Sequence, residues 1–102
     1  MGLLGFLRRG NQSVEVVSRR PTGRFRVEKK LTVLNRQVLV GEVVEGIIYP
    51  GYKVKGRKAS PVMRIEKDHR EVEFAISGDK VALILEREIP CEKGEDLEIY
   101  QS

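Results

Sequence analysis

Between Gln37 and Val54 the chain alternates apolar and polar positions with a period of two. Val38, Val40 and Glu42 point one way and Leu39, Gly41 and Val43 the other. Enrichment in β-branched residues makes this a strand with at least one buried face. Gly41 falls inside that strand, where glycine costs stability unless a second backbone passes close by or the strand must bend. Gly46 predicts a sharp bend. Ile47-Ile48-Tyr49 resumes the strand and Pro50-Gly51 supplies a turn, with proline fixing φ and glycine taking positive φ. A strand bent this strongly closes a small barrel.

The same alternation runs on either side. Phe25-Arg26-Val27-Glu28 reads as a first strand, interrupted at Lys29-Lys30 and resumed over Leu31–Leu34, with a turn predicted at Asn35-Arg36-Gln37. Val54 lies between two outward lysines. Met63 and Ile65 alternate with Arg64 and Glu66, and Lys67–Glu71 is a charged turn. Val72 and Phe74 lead a further strand, ending before Gly78-Asp79. Val81–Leu85 is an apolar run short enough for a buried strand, and Leu97–Tyr100 is the last one. No helix longer than a turn is predicted. Many short strands at this spacing indicate an antiparallel barrel or sandwich.

Residues 1–24 are the least ordered by pattern, with a short strand predicted at Val14–Val17, and are read as a basic N-terminal extension; 25–102 form the domain. Leu3, Leu4, Phe6 and Leu7 could pack as one helical turn on the domain or dock on a partner. Arg19–Arg24 is a basic linker broken by Pro21 and Gly23.

At 102 residues the chain holds one domain. No apolar run approaches the roughly 20 residues of a membrane helix, so no membrane span is expected. A single cysteine, Cys91, rules out an internal disulfide and fits a cytoplasmic setting. Charge is uneven: +6 over residues 1–30, −1 over 31–52, +5 over 53–70 and −6 over 71–102. Basic clusters of this kind are the footprint of a phosphate-binding face, or simply solvated surface.

Catalytic signatures are missing. There is no Gly-x-x-x-x-Gly-Lys-Ser/Thr phosphate loop, so no nucleotide-binding domain is expected here. One Cys and one His cannot supply ordinary metal-ligand spacing, and no cofactor is called for. No Ser or Cys nucleophile accompanies a base in a recognisable context. Cys91, beside Pro90, reads as a small filler rather than a reactive thiol. The expectation is a binding protein, not an enzyme.

Several motifs carry a resemblance. They are V38-x-x-G41-x-V43-x-x-G46-I47-I48-x-x-G51-x-x-V54, Val62–Glu66, the block Ala75–Leu83 of form A-x-x-G-D-x-V-x-L, and Gly94–Leu97 of form G-x-x-L. In this order and spacing they resemble the second, β-barrel domain of translational GTPases. That group includes elongation factor Tu, the selenocysteine-specific elongation factor and the gamma subunit of archaeal initiation factor two. The resemblance implies an all-β fold: a small closed antiparallel β-barrel of about six strands with a short N-terminal extension. It suggests a stand-alone, archaeal-type tRNA-binding copy of that barrel.

In the resembled family this barrel holds the aminoacylated 3′ end of tRNA. Carried over residue by residue, Glu66 falls at the glutamate meeting the terminal adenosine. Val38 and Ile84 fall at apolar residues lining the adenine pocket, though both are equally readable as barrel core. Lys80 falls where asparagine is frequent, and His69 near a position that is often Arg or His. Lys53, Lys55, Arg57 and Lys58 form a basic segment suited to backbone phosphates. Tyr49 and Tyr52 flank the Pro-Gly turn, as base-stacking rings or as packing caps. The partner expected first is tRNA or another RNA. The alternative is an adaptor barrel docking on a translation factor, the ribosome or another protein.

Overall fold

The computed structural model describes residues 20–101. They form nine strands and no helix: β1 (Gly23–Val33), β2 (Arg36–Glu45), β3 (Ile47–Ile48), β4 (Lys53–Lys55), β5 (Ala59–Lys67), β6 (Arg70–Val72), β7 (Ala75–Ile76), β8 (Lys80–Leu85) and β9 (Asp96–Tyr100). Pairing runs β4–β9–β1–β2–β8–β5, and β5 returns to β4, so six strands close a barrel. Every pairing is antiparallel. Strand β6 hairpins onto the end of β5, and β3 with β7 makes a separate two-stranded ribbon. This is the closed antiparallel barrel of about six strands that the sequence led us to expect.

One side of each alternating strand fills the interior. Phe25 and Val27 of β1, Leu39 and Val43 of β2, Ile65 of β5, Leu83 and Leu85 of β8, and Leu97 and Ile99 of β9 are buried together. Ile89 and Cys91, from the long segment between β8 and β9, plug one end. Polar side chains from the neighbouring strands hold that segment in place. The Gln37 side chain donates to Ile89 O and accepts from Ile89 N (3.0 and 2.8 Å). Arg36 donates to Glu86 O, and Lys30 to Cys91 O. Cys91 is a filler; burial pushes its thiol up, away from the reactive thiolate.

Strand β1 departs from the alternation, and the groove described below depends on how it does so. Its residues 24–26 pair on both sides, with β9 and β2, and Gly23 pairs with β9 alone. A register shift between Val27 and Lys29 then turns the strand. The freed Val27 backbone is taken up by the 94–95 turn, through Val27 N to Glu95 O and Gly94 N to Val27 O. Beyond the shift β1 pairs with β2 alone, so the hairpin becomes an arm. Gly41 permits this: a Cβ there would lie 1.9 Å from Arg26 O and 2.9 Å from the Phe25 ring. Only glycine lets the two backbones close to this distance. The arm turns at Leu34-Asn35, both at positive φ (51° and 65°), a two-residue hairpin turn of the primed kind. That is one residue earlier than the polar run Asn35-Arg36-Gln37 suggested, because leucine is an unusual occupant of this conformation.

Candidate functional site

On the outer face of the barrel the register lines up cross-strand rows. Leu31 pairs with Val38, Val38 with Ile84, and Ile84 with Arg64, spanning β1, β2, β8 and β5. The adjacent row is Lys29, Val40, Ala82 and Glu66. Val38 and Ile84 are 7% and 5% exposed, yet neither belongs to the interior cluster. Their neighbours Leu39 and Leu83, a register pair one residue on, are the ones that face inward. Between core and pocket, then, register places Val38 and Ile84 on the outer face.

The two rows floor a groove of about 470 Å³, within the range of small-ligand sites. The β1–β2 arm walls one side with Leu31, Val33 and Leu34, and β5 walls the other with Met63, Arg64 and Glu66. His69 reaches the groove from the β5–β6 turn, where Asp68 and His69 both take positive φ. Val38, Glu66, His69 and Ile84, four positions assigned by resemblance, thus share one cavity. Among the described residues, the side chains of Glu66, Arg64 and His69 make no hydrogen bond or ion pair with another group. An apolar floor with unspent polar groups at its edge suits a flat, amphipathic ligand.

Lys80 does not line this groove. It lies one row further along, paired with Glu42, and its ammonium sits 3.7 Å from Glu28. That row is charged throughout. Arg26 pairs with Glu42, and its guanidinium is held 2.9 Å from Asp96, whose hydrogen bond raises the Arg26 pKa above its ordinary value. Linear spacing placed Lys80 close to Ile84, but four residues along a strand are two rows apart.

The basic segment divides. Lys58 lines a second cavity of about 480 Å³ with Lys30, Thr32, Gln37 and Glu88, and this cavity shares Leu31 with the groove. Arg57 is exposed in the same loop. Lys53 and Lys55 lie on β4, between β9 and β5, and line neither cavity. The Lys55 ammonium stands 5.8 Å from the centre of the Tyr100 ring. The Tyr100 hydroxyl donates to Glu98 (2.8 Å), and that bond raises the phenol pKa. Tyr49 and Tyr52 pack on each other at 5.5 Å, and neither lines the groove.

Sequence reasoning missed the rest of the lining. Val40 and Ala82 were within reach, since each is two residues from an assigned position and so shares its face. Leu31, Val33 and Leu34 were not, because they reach the groove only through the register shift in β1.

A family model for Elongation factor Tu domain 4 matches residues 20–98. Among solved structures, the GDP-bound crystal structure of aIF5B from Aeropyrum pernix superposes with a TM-score of 0.69 at 25% identity. That match covers 82% of this chain and 16% of the other, so the chain spans less than a fifth of the length of that relative. No curated protein matches the chain.

Proposed function

Because this chain belongs to the Elongation factor Tu domain 4 family, a β-barrel domain of translational GTPases, we propose that it is a non-catalytic RNA-binding barrel. Its ligand in this reading is tRNA, held by the 3′ end, and its setting is the cytoplasm. One observation carries the reading. The outer-face groove brings Val38, Glu66, His69 and Ile84 together around an apolar floor. Single-stranded RNA ends are recognised by packing an unstacked base against apolar or aromatic walls and bonding its edge. Val38, Val40 and Ile84 supply the wall. The Glu66 carboxylate accepts from an exocyclic amine or a ribose hydroxyl. Arg64 and Arg36, both lining the groove, stand where a phosphate backbone would leave it. Lys58 and Lys30, across the shared Leu31 wall, extend that basic track.

The test is a titration against intact tRNA, tRNA lacking its terminal CCA, and a CCA-ended oligonucleotide, each at low and moderate salt. Tight binding that needs the CCA end and persists at moderate salt supports the groove. Equal, salt-steep binding to all three reduces the site to a generic basic surface. Absence of RNA binding moves the adaptor reading to first place, with the exposed arm tip at Leu34 as its first contact.

A further inference from the structure

Six large apolar side chains of the described domain are more than a third exposed, and they fall into two groups. Leu31, Val33 and Leu34 belong to the groove and its arm. Tyr49, Phe74 and Ile76, at 41%, 48% and 47% exposure, lie together on the β3–β7 ribbon. Register explains the cluster. Ile48 and Ala75 pair and are buried, so Phe74 and Ile76 on either side of Ala75 face outward. Tyr49 follows Ile48 and lies against Phe74, ring centres 5.8 Å apart. Tyr52 also packs on Tyr49, with ring centres 5.5 Å apart. Glu71 and Glu73 border the rings and, with Tyr49, Pro50 and Val72, line a hollow of about 430 Å³. An apolar face of this kind with a charged rim marks a contact surface, and the carboxylates repel a nucleic-acid backbone.

We propose that this face is the seat of the chain's own N-terminal segment, residues 3–9. Three observations choose this occupant. The first is chemistry: Leu3, Leu4, Phe6 and Leu7 are followed directly by Arg8 and Arg9, an apolar run ending in two cations, complementary to rings ending in two carboxylates. The second is where the chain enters the barrel. Thr22 N donates to Ile99 O, and Thr22 and Gly23 lie against Gly46, where a Cβ would meet Thr22 O at 2.2 Å and the Gly23 Cα at 2.8 Å. Gly46 leads straight into β3, and its carbonyl accepts from Ser77, the residue after β7 (3.4 Å). The chain therefore emerges two to three residues from Tyr49 and Phe74, about 10 Å at the rise of a strand. The third is reach: the residues between Arg9 and Arg20 can span roughly 35 Å when extended, ample for a return to the ribbon. The groove lies at the far end of β1, so a seated segment leaves it open. This inference does not depend on the RNA reading.

The test uses the full chain with Gly10→Cys carrying a nitroxide, with Cys91 buried and protected from labelling. Signals of Tyr49, Phe74 and Ile76 should broaden, and those of Leu34 at the opposite end should not. Phe74→Ser should abolish the broadening. Leu4→Ser with Phe6→Ser should do the same with every residue of 20–101 left unchanged. Unbroadened ribbon signals in the parent chain would overturn the proposal. So would broadening that appears only when nitroxide chains are mixed with separate isotope-labelled chains, since the occupant would then be a second copy.

Discussion

Leu83 and Ile84 are neighbours in β8, nearly equally buried at 0% and 5% exposure, and truncating each to alanine separates core from groove. Either change removes the same number of carbons, and at about 0.8 kcal/mol per carbon the transfer term is about 2.4 kcal/mol for both. The cavity term differs. Leu83 sits in the interior cluster among Leu39, Ile65 and Leu85, so Leu83→Ala leaves a closed void and costs about 3–5 kcal/mol. Ile84 floors a groove already open to water. Ile84→Ala enlarges that groove without sealing a void, and costs about 2 kcal/mol, close to the transfer term alone. Urea unfolding should therefore rank Leu83→Ala below Ile84→Ala by at least about 1 kcal/mol, equivalent to roughly 4–8 °C in Tm for a domain of this size. Affinity for a CCA-ended RNA, measured well below either transition, should show the reverse order. Ile84→Ala should weaken binding by about tenfold or more, the loss of about 1.4 kcal/mol of base contact, while Leu83→Ala leaves it near the parent value. Equal destabilisation by the two, with no selective loss of affinity at Ile84, would refute the outer-face reasoning and return Ile84 to the core.

Gly41→Ala drives a Cβ into Arg26 O, a backbone atom that cannot step aside. The β1–β2 ladder must part at the register shift, and urea titration should report a loss of about 3 kcal/mol or more, at or beyond the top of the usual overpacking range. Asp79 accepts from Ile76 N and from the Lys67 ammonium, both at 3.0 Å, and the first of these does most to hold its pKa below the ordinary carboxylate value. The folded pKa lies below the unfolded one, so this stabilisation is present at neutral pH. It is lost as pH falls from about 4 through the folded value. Urea midpoints from pH 7 down to about pH 2.5 should fall more steeply for the parent than for Asp79→Asn, and the gap between them should close at the acid end. A gap of constant width would remove Asp79 as the source.

Much of the barrel was legible in the residues. Period-two alternation put Leu39, Gly41 and Val43 on one face and Val38, Val40 and Glu42 on the other, and glycine inside a strand announced a close approach or a bend. Pro50-Gly51 announced its turn, with Gly51 at φ 96°. These are local consequences of backbone sterics and burial, and they read directly from types and spacing. Family motifs added the closure into a ring. The segment between β8 and β9 was not legible, because Ile89 and Cys91 are held by bonds to Gln37 and Lys30 that lie far away along the chain.

For the site, the sequence by itself determined that Val38 and Ile84 are apolar, that Glu66 and His69 lie near one turn, and that the middle of the chain is basic. It could not say that Val38 and Ile84 face away from the core, nor that Lys80 stands a row too far to join them. Facing direction follows from pairing register, where one residue of slip reverses every side chain. Register here is set between strands up to dozens of residues apart. The arm that turns a flat sheet face into a groove exists only because β1 shifts register opposite Gly41 and leaves β9 behind. That shift is a property of three strands and one turn packed together, so only the tertiary structure decided it.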